Sequence, residues 1–324
     1  MTATLIEKDG VFAGVDAEAV RRRVEAGDFF WLDLVGAEPA AVSEQLAIME
    51  VEPADVTWAS RFGQMGRLHI GRNRLRAVTW CADSDGHLIE IHLVACKAGV
   101  ATLWKGAPEA LDDIRMKFHE RAAGVERDFH LAAGILLQLI LGTLDQLLLR
   151  LDNYADELRL RLDGGLPSAD FASVLPGLQK LQSFSAGFSR FSSATRSATV
   201  GVEAVAGVTA RAAEELNDYA EQVEDFEELL FERRRWASDL AHDWSTRIAE
   251  AQSAQIDRLT LVSMIFLPLT AITGYFGMNF EWMDKALSGL GPFLIFGVVL
   301  PATSVAGVIL LLWRRGLIRP GRRN

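Results

Sequence analysis

Cysteine and histidine are scarce: 324 residues hold two cysteines, Cys81 and Cys96, and six histidines, with neither type between Leu259 and Trp313. Two thiols cannot build a disulfide framework, and no C-x-x-C or paired-histidine spacing marks a zinc site. The one zinc arrangement these residues leave open joins Cys81 and Cys96, in neighbouring β-rich runs, to a nearby histidine such as His92. Met1–Glu7 lacks both a basic start and an apolar core. No secretory leader is therefore expected, and the thiols are expected reduced in a cytosolic portion. A phosphate-cradling glycine loop, His-Glu-x-x-His and a nucleophile motif are missing too, which removes the common enzyme signatures and any catalytic residue with them. Nor is there a basic excess. Residues 1–275 carry 27 Lys/Arg against 41 Asp/Glu, an acidic body that argues against nucleic acid as a partner and favours cations at its surface.

Charge itself is absent from two stretches, Leu259 to Tyr275 and Phe293 to Trp313. Each is about as long as a bilayer's hydrocarbon core is thick, and both read as transmembrane helices. Arg247 and Arg258 precede the first span, Arg314 and Arg315 follow the second, and the loop Phe280–Pro292 holds one basic residue, Lys285. The positive-inside rule then places both termini in the cytoplasm and that loop outside. Within the first span Ile256, Leu259, Ser263, Leu267, Thr270 and Gly274 recur at steps of three and four, so they share one helical face. Such a face suits a narrow pore, with Thr270 offering oxygen and the aliphatic positions forming a constriction that gates by dewetting. Taken alone the stripe favours a seam where membrane helices approach closely.

Ahead of the spans the chain changes character once. Phe29–Val35 is a β-rich run ending at Gly36, and Glu38-Pro39 opens a helical pattern to about Met49. Arg74–Ala82, Leu88–Lys97 and Gly99–Lys105, separated by turn signals, predict an antiparallel meander. From about Arg127 the pattern is helical. Leu131–Leu149 is apolar enough to suggest a span, but Gln138, Asp145 and Gln146 interrupt it, so a soluble core helix is expected. Gly164-Gly165-Leu166-Pro167 breaks that helix, Ser168 can cap the next, which runs to about Ala194, and a turn falls near Val200-Gly201. From Thr209 no proline or glycine appears until Pro268. A continuous helix of 67 residues to Tyr275 would be a stalk on the order of 100 Å long. Its upper part carries Glu214, Glu215, Asp218, Glu221, Glu224, Asp225, Glu227, Glu228 and Glu232. These carboxylates could bind divalent cations between subunits, or form a solvated face balanced by Arg233, Arg234 and Arg235.

Phe266-Leu267-Pro268-Leu269-Thr270 followed by Tyr275-Phe276-Gly277-Met278-Asn279-Phe280, a short loop and a second span near the C-terminal end together resemble the CorA-type divalent metal transporters, including their zinc-transporting ZntB-like branch. The resemblance covers the whole chain. It implies a funnel-shaped homopentamer: an α/β cytoplasmic domain (1–125), a helical region with the long stalk (126–258) and a transmembrane domain (259–324, spans about 259–275 and 293–313) with a basic tail. It further implies multi-pass residence in the cell's inner membrane.

In that family the Gly-x-Asn triplet is the signature, so Gly277, Met278 and Asn279 are the expected ion-selecting residues, with Asn279 the metal-facing one. Two helices per chain cannot enclose a water-filled path, so a pore needs several copies. A ring of Asn279 carboxamides and of Gly277 and Met278 carbonyls is a neutral oxygen site suited to a hard cation that keeps its water. The expected cargo and regulator is Mg2+, with Co2+ and Ni2+ as further candidates. The alternatives are Zn2+, with or without coupling to protons, and a membrane-anchored sensor or scaffold that does not conduct. No cofactor is expected beyond the transported and regulatory ion. The chain departs from the family in having Met283-Asp284-Lys285-Ala286 where magnesium-type members often carry Met-Pro-Glu-Leu, and Leu267 where a methionine is frequent. Acidic attraction at the outer mouth would then rest on Glu281 and Asp284, partly offset by Lys285.

Overall fold

Two strands 69 residues apart in sequence, β3 (Phe30–Val35) and β7 (Gly99–Trp104), run parallel at the centre of a seven-stranded sheet and are buried along their whole length. The computed structural model describes residues 2–83, 87–125, 127–163, 168–278, 281, 285 and 289–314. The chain divides into two compact units, Met1–Ala241 and His242–Asn324.

In the first unit the sheet order is β2-β1-β3-β7-β6-β5-β4, and every pairing except β3 with β7 is antiparallel. The other strands are β1 (Thr2–Glu7), β2 (Gly10–Ala13), β4 (Arg67–Gly71), β5 (Arg74–Ala82) and β6 (Leu88–Cys96). The expected meander is β5-β6-β7. Side chains alternate across the sheet. Ala3, Leu5, Phe30, Leu32 and Leu34 face a layer made by α1 (Ala17–Ala26), α2 (Pro39–Ile48) and α3 (Pro53–Ala59). Ile6, Trp31, Val35 and Trp104 face α4 (Asp112–Ala122), α5 (Phe129–Leu141), α7 (Ser168–Thr199) and the start of α8 (Ala210–Phe276). Gly99 is required at the centre, because a Cβ there would lie 2.1 Å from the Phe30 carbonyl oxygen.

Asp33 stands among the apolar residues of β3 on this second face. One carboxylate oxygen accepts from Thr102 Oγ1 at 2.6 Å and Trp104 Nε1 at 2.8 Å; the other accepts from Arg115 Nε at 3.0 Å and NH2 at 2.5 Å. Trp31 Nε1 completes the set by donating to Thr102 Oγ1 at 2.8 Å. A buried charge is tolerated only with such full pairing.

The apolar run expected as one helix over Leu131–Leu149 is two, α5 and α6 (Leu144–Asp163), parted at Gly142-Thr143. The Thr143 hydroxyl donates to Ile140 O and accepts the Ala82 N–H that ends β5, so the break ties the helix to the sheet. Eleven of the thirteen α5 residues are buried against that sheet. The expected break at Gly164–Pro167 lies outside the described residues. α7 continues to Thr199, past the expected stop at Ala194, and ends before Gly201, which has φ +72°. α8 is 67 residues long, the expected length, and runs on through Pro268 and Gly274.

In the second unit, the C-terminal part of α8 and α9 (Leu290–Arg314) belong to helices long and apolar enough to cross a membrane. The stretch Phe293–Val299 of α9 is a π-helix, a wider winding that is rare and recurs at functional places.

Candidate functional site

Along the apolar part of α8 the side chains sort into two faces. Leu261, Ile265, Pro268, Leu269, Ile272 and Phe276 are half-buried, whereas Ile256, Leu259, Ser263, Leu267, Thr270 and Gly274 are exposed. At about 100° per residue the two sets are centred on opposite sides of the helix. The half-buried side meets α9 at its C-terminal end, where the rings of Phe276 and Phe296 lie 5.3 Å apart. Beside them a groove of about 360 Å³ is lined by Ile272, Thr273, Gly277, Phe293 and Gly297, among others. The stripe picked out by spacing is thus the side turned away from α9. Leu267, at its centre, is 76 % exposed.

Its hydroxyls point their protons back into the helix. Ser263 Oγ donates to Leu259 O and Thr270 Oγ1 to Phe266 O, both at 2.8 Å. Each oxygen therefore presents lone pairs outward, the polarity that water around a cation requires. Pro268 supplies no N–H, which leaves the Met264 carbonyl without its usual partner one turn on.

The helix closes through Gly277 N–H to Thr273 O at 2.9 Å and Met278 N–H to Tyr275 O at 3.4 Å. Glycine is needed at 277 for space: a Cβ would stand 2.9 Å from the Thr273 oxygen. Met278 is exposed. Asn279 and Asp284 lie outside the described residues. Glu281 forms an ion pair with Lys285, Oε1 to Nζ 2.9 Å, with both side chains strongly exposed.

The acidic run of α8 divides as well. Glu215 accepts from Gln138 Nε2 at 3.0 Å, and Glu224 pairs with Arg196. Glu214, Asp218, Glu221, Asp225, Glu228 and Glu232 are exposed and follow a 4-3-4-3-4 spacing, hence one face. That regular spacing was legible in the sequence and separates the outward carboxylates from those engaged by the body. Arg233 turns to Asp152 of α6 through two bonds of 3.0 and 2.9 Å, the main cause of its pKa lying above the ordinary arginine value. Arg234 sits 4.7 Å from the Phe231 ring centre. Arg233 also lies 3.5 Å from Glu232, the last carboxylate of the exposed stripe.

The zinc arrangement of Cys81, Cys96 and His92 is overturned. Cys81 and Cys96 belong to cores on opposite faces of the sheet. Both His92 ring nitrogens are engaged, Nδ1 with Ala59 O and Nε2 with Glu90 Oε1, each at 2.6 Å. Burial pushes the Cys81 thiol up to about 12 and raises that of Cys96 as well, so neither is a ready thiolate. Among the described residues no three His, Cys, Asp or Glu side chains are grouped to hold a metal ion.

Among the described residues three helices are long and apolar enough to cross a membrane; Phe129–Tyr154 is mostly buried within the first unit, whereas the apolar parts of α8 and α9 are not, the pattern of a membrane protein with C-terminal apolar helices. The comparisons carry this to a family. The model of the CorA-like Mg2+ transporter protein family matches residues 27–315, and the chain belongs to that family. Its fold is similar to the complete structure of the CorA magnesium transporter from Methanocaldococcus jannaschii, with TM-score 0.73 at 14 % identity over 98 % of this chain and 99 % of that one. It is similar also to full-length CmaX, with TM-score 0.66 at 17 % identity over 97 % of both chains. The ZntB cytoplasmic domain from Vibrio parahaemolyticus RIMD 2210633 matches with TM-score 0.53 at 10 % identity, over 77 % of this chain and 98 % of that domain. YfjQ of Bacillus subtilis (strain 168), named as a metal ion transporter, is 34 % identical over 89 residues, a stretch that spans 28 % of this chain and 27 % of that relative.

Proposed function

We propose that the chain is one subunit of a homopentameric pore that carries divalent metal cations, Mg2+ first among them, across the inner membrane with both termini in the cytoplasm. The observation that carries this reading is the placement of Ile256, Leu259, Ser263, Leu267, Thr270 and Gly274 on the face of α8 opposite α9. With α9 on the outside of a ring, that face lines the axis. Ile256, Leu259 and Leu267 then form dry constrictions, Thr270 contributes oxygen, and Gly277, Met278 and Asn279 form the neutral ring at the outer mouth. Membership of a Mg2+ transporter family supports the class of cargo. The absence of His and Cys from Leu259–Trp313 leaves neither imidazole nor thiolate in the path, and the oxygen donors there suit a hard cation held through its water.

Met283-Asp284-Lys285-Ala286, standing where magnesium-type members often carry Met-Pro-Glu-Leu, keeps Zn2+ as a second reading. Glu281, half of the acidic pair expected to attract cations at the mouth, is already engaged by Lys285. Uptake into liposomes holding the purified protein, compared for Mg2+ and Zn2+ with and without an imposed proton gradient, separates the two. Magnesium flux indifferent to the gradient is the expected result. Zinc flux that follows the gradient would assign the chain to the zinc branch, and no flux of either ion would leave a sensor or scaffold.

A further inference from the structure

We infer that Ser263 keeps a hydrated divalent cation in polar contact as it crosses the driest part of the first span; this rests on the pore reading above. Along the open face Leu259, Ser263 and Leu267 follow one another at four-residue steps. Ser263 therefore stands about 6 Å from each leucine along the axis at 1.5 Å per residue. Without its hydroxyl the centre line of the face would be apolar for about 12 Å. A hexahydrated Mg2+ is about 7 Å across, taking ~2.1 Å for each Mg–O bond and ~1.4 Å for the water radius. With Ile256 below and Thr270 above, the centre line without Ser263 would offer no side-chain oxygen over about 21 Å, three times that width; with Ser263 the gap to Thr270 is about 10 Å.

The orientation of the hydroxyl is the second part of the argument. First-shell waters around a cation point their protons outward and need acceptors. Ser263 Oγ has committed its own proton to Leu259 O at 2.8 Å, so it faces the open side as an acceptor. Thr270 is built alike, its proton on Phe266 O, and lies about 10 Å farther along the axis. Thr260 adds a hydroxyl at the flank, bonded to Ile256 O at 2.8 Å. Leu267 is thereby bracketed by two acceptor layers. In the competing arrangement, a packing seam between neighbouring helices, the same hydroxyl would never meet the ion.

Flux of Mg2+ into liposomes tests this with full-length variants. Cd2+ serves as the probe for Ser263→Cys and Thr270→Cys, since thiols bind soft cations tightly. Cys81 and Cys96 are buried and can stay in place, with the unsubstituted protein as baseline. The expected result is Cd2+ block of both cysteine variants, reversed by a chelator. Alongside it, Mg2+ flux should fall about tenfold in Ser263→Ala, the loss of roughly one hydrogen bond at the barrier, with most of that loss recovered in Ser263→Thr. Block at 270 but not at 263, or Ser263→Ala carrying Mg2+ as fast as the parent, overturns the role given to Ser263 and leaves the pore standing. Block at neither position overturns the pore reading itself.

Discussion

Replacing Asp33 by alanine should cost the soluble unit more than any other single change on β3. Asp33 is fully buried and its carboxylate accepts four hydrogen bonds, two of them from Arg115, which is itself only 5 % exposed. The substitution removes those bonds and leaves the buried guanidinium with only Pro108 O and the largely exposed Asp112 carboxylate. Breaking a buried pair in this way costs about 3–5 kcal/mol. In a unit of 241 residues each kcal/mol moves the unfolding temperature by roughly 2–4 °C, so the midpoint should fall by about 6–20 °C. Scanning tryptophan fluorescence of the full chain in detergent would read it, since Trp31 and Trp104 belong to the same network. Asp112→Ala is the control: Asp112 also bonds Arg115 but is largely exposed, and an exposed partner is worth at most about 1 kcal/mol. A fall of less than about 3 °C for Asp33→Ala, no larger than the control, would refute the claim that this buried pairing ties α4 to the centre of the sheet.

Two other outcomes follow from the same geometry. Leu267→Asn puts an amide at the most exposed leucine of the first span's open face and should wet a dry constriction, raising resting Mg2+ leak at least about threefold in liposomes; unchanged leak would remove Leu267 from the gate. Cys81 should resist alkylation at pH 8 in the folded protein and react once it is unfolded, because burial, then Asp83 and Asp33, push its thiol up to about 12. The folded state thus holds this proton more tightly than the unfolded chain, so the thiol's contribution is intact below the ordinary value of 9.0 and is lost as pH rises from there toward 12. A melting temperature that climbs across that alkaline range, or rapid labelling at pH 8, would contradict it.

Local signals marked much of this architecture. The meander was legible because Arg74–Ala82, Leu88–Cys96 and Gly99–Trp104 are β-rich runs cut by turn residues, and α8 because no proline or glycine occurs in it before Pro268. What stayed hidden was non-local. Nothing near Phe30–Val35 says that its neighbour is Gly99–Trp104 in parallel, and Asp33 looks like an ordinary polar interruption until Arg115 arrives 82 residues later. Gly142-Thr143 ends α5 inside an apolar run because Thr143 has a partner on β5, which no helical periodicity reveals. For the candidate site, spacing found the stripe on the first span but could not choose between pore and seam. The proposed pore reading draws in addition on where α9 lies, through Phe276 and Phe296.

The central claim is that ions pass along the first span and out through the Gly277-Met278-Asn279 end. Mg2+ uptake by proteoliposomes carrying Asn279→Ala, set against the parent at equal protein density and with equal thermal stability, tests it most directly. The account predicts uptake near the protein-free background, or a changed preference among Mg2+, Co2+ and Zn2+. Uptake equal to the parent in rate and in preference would contradict it.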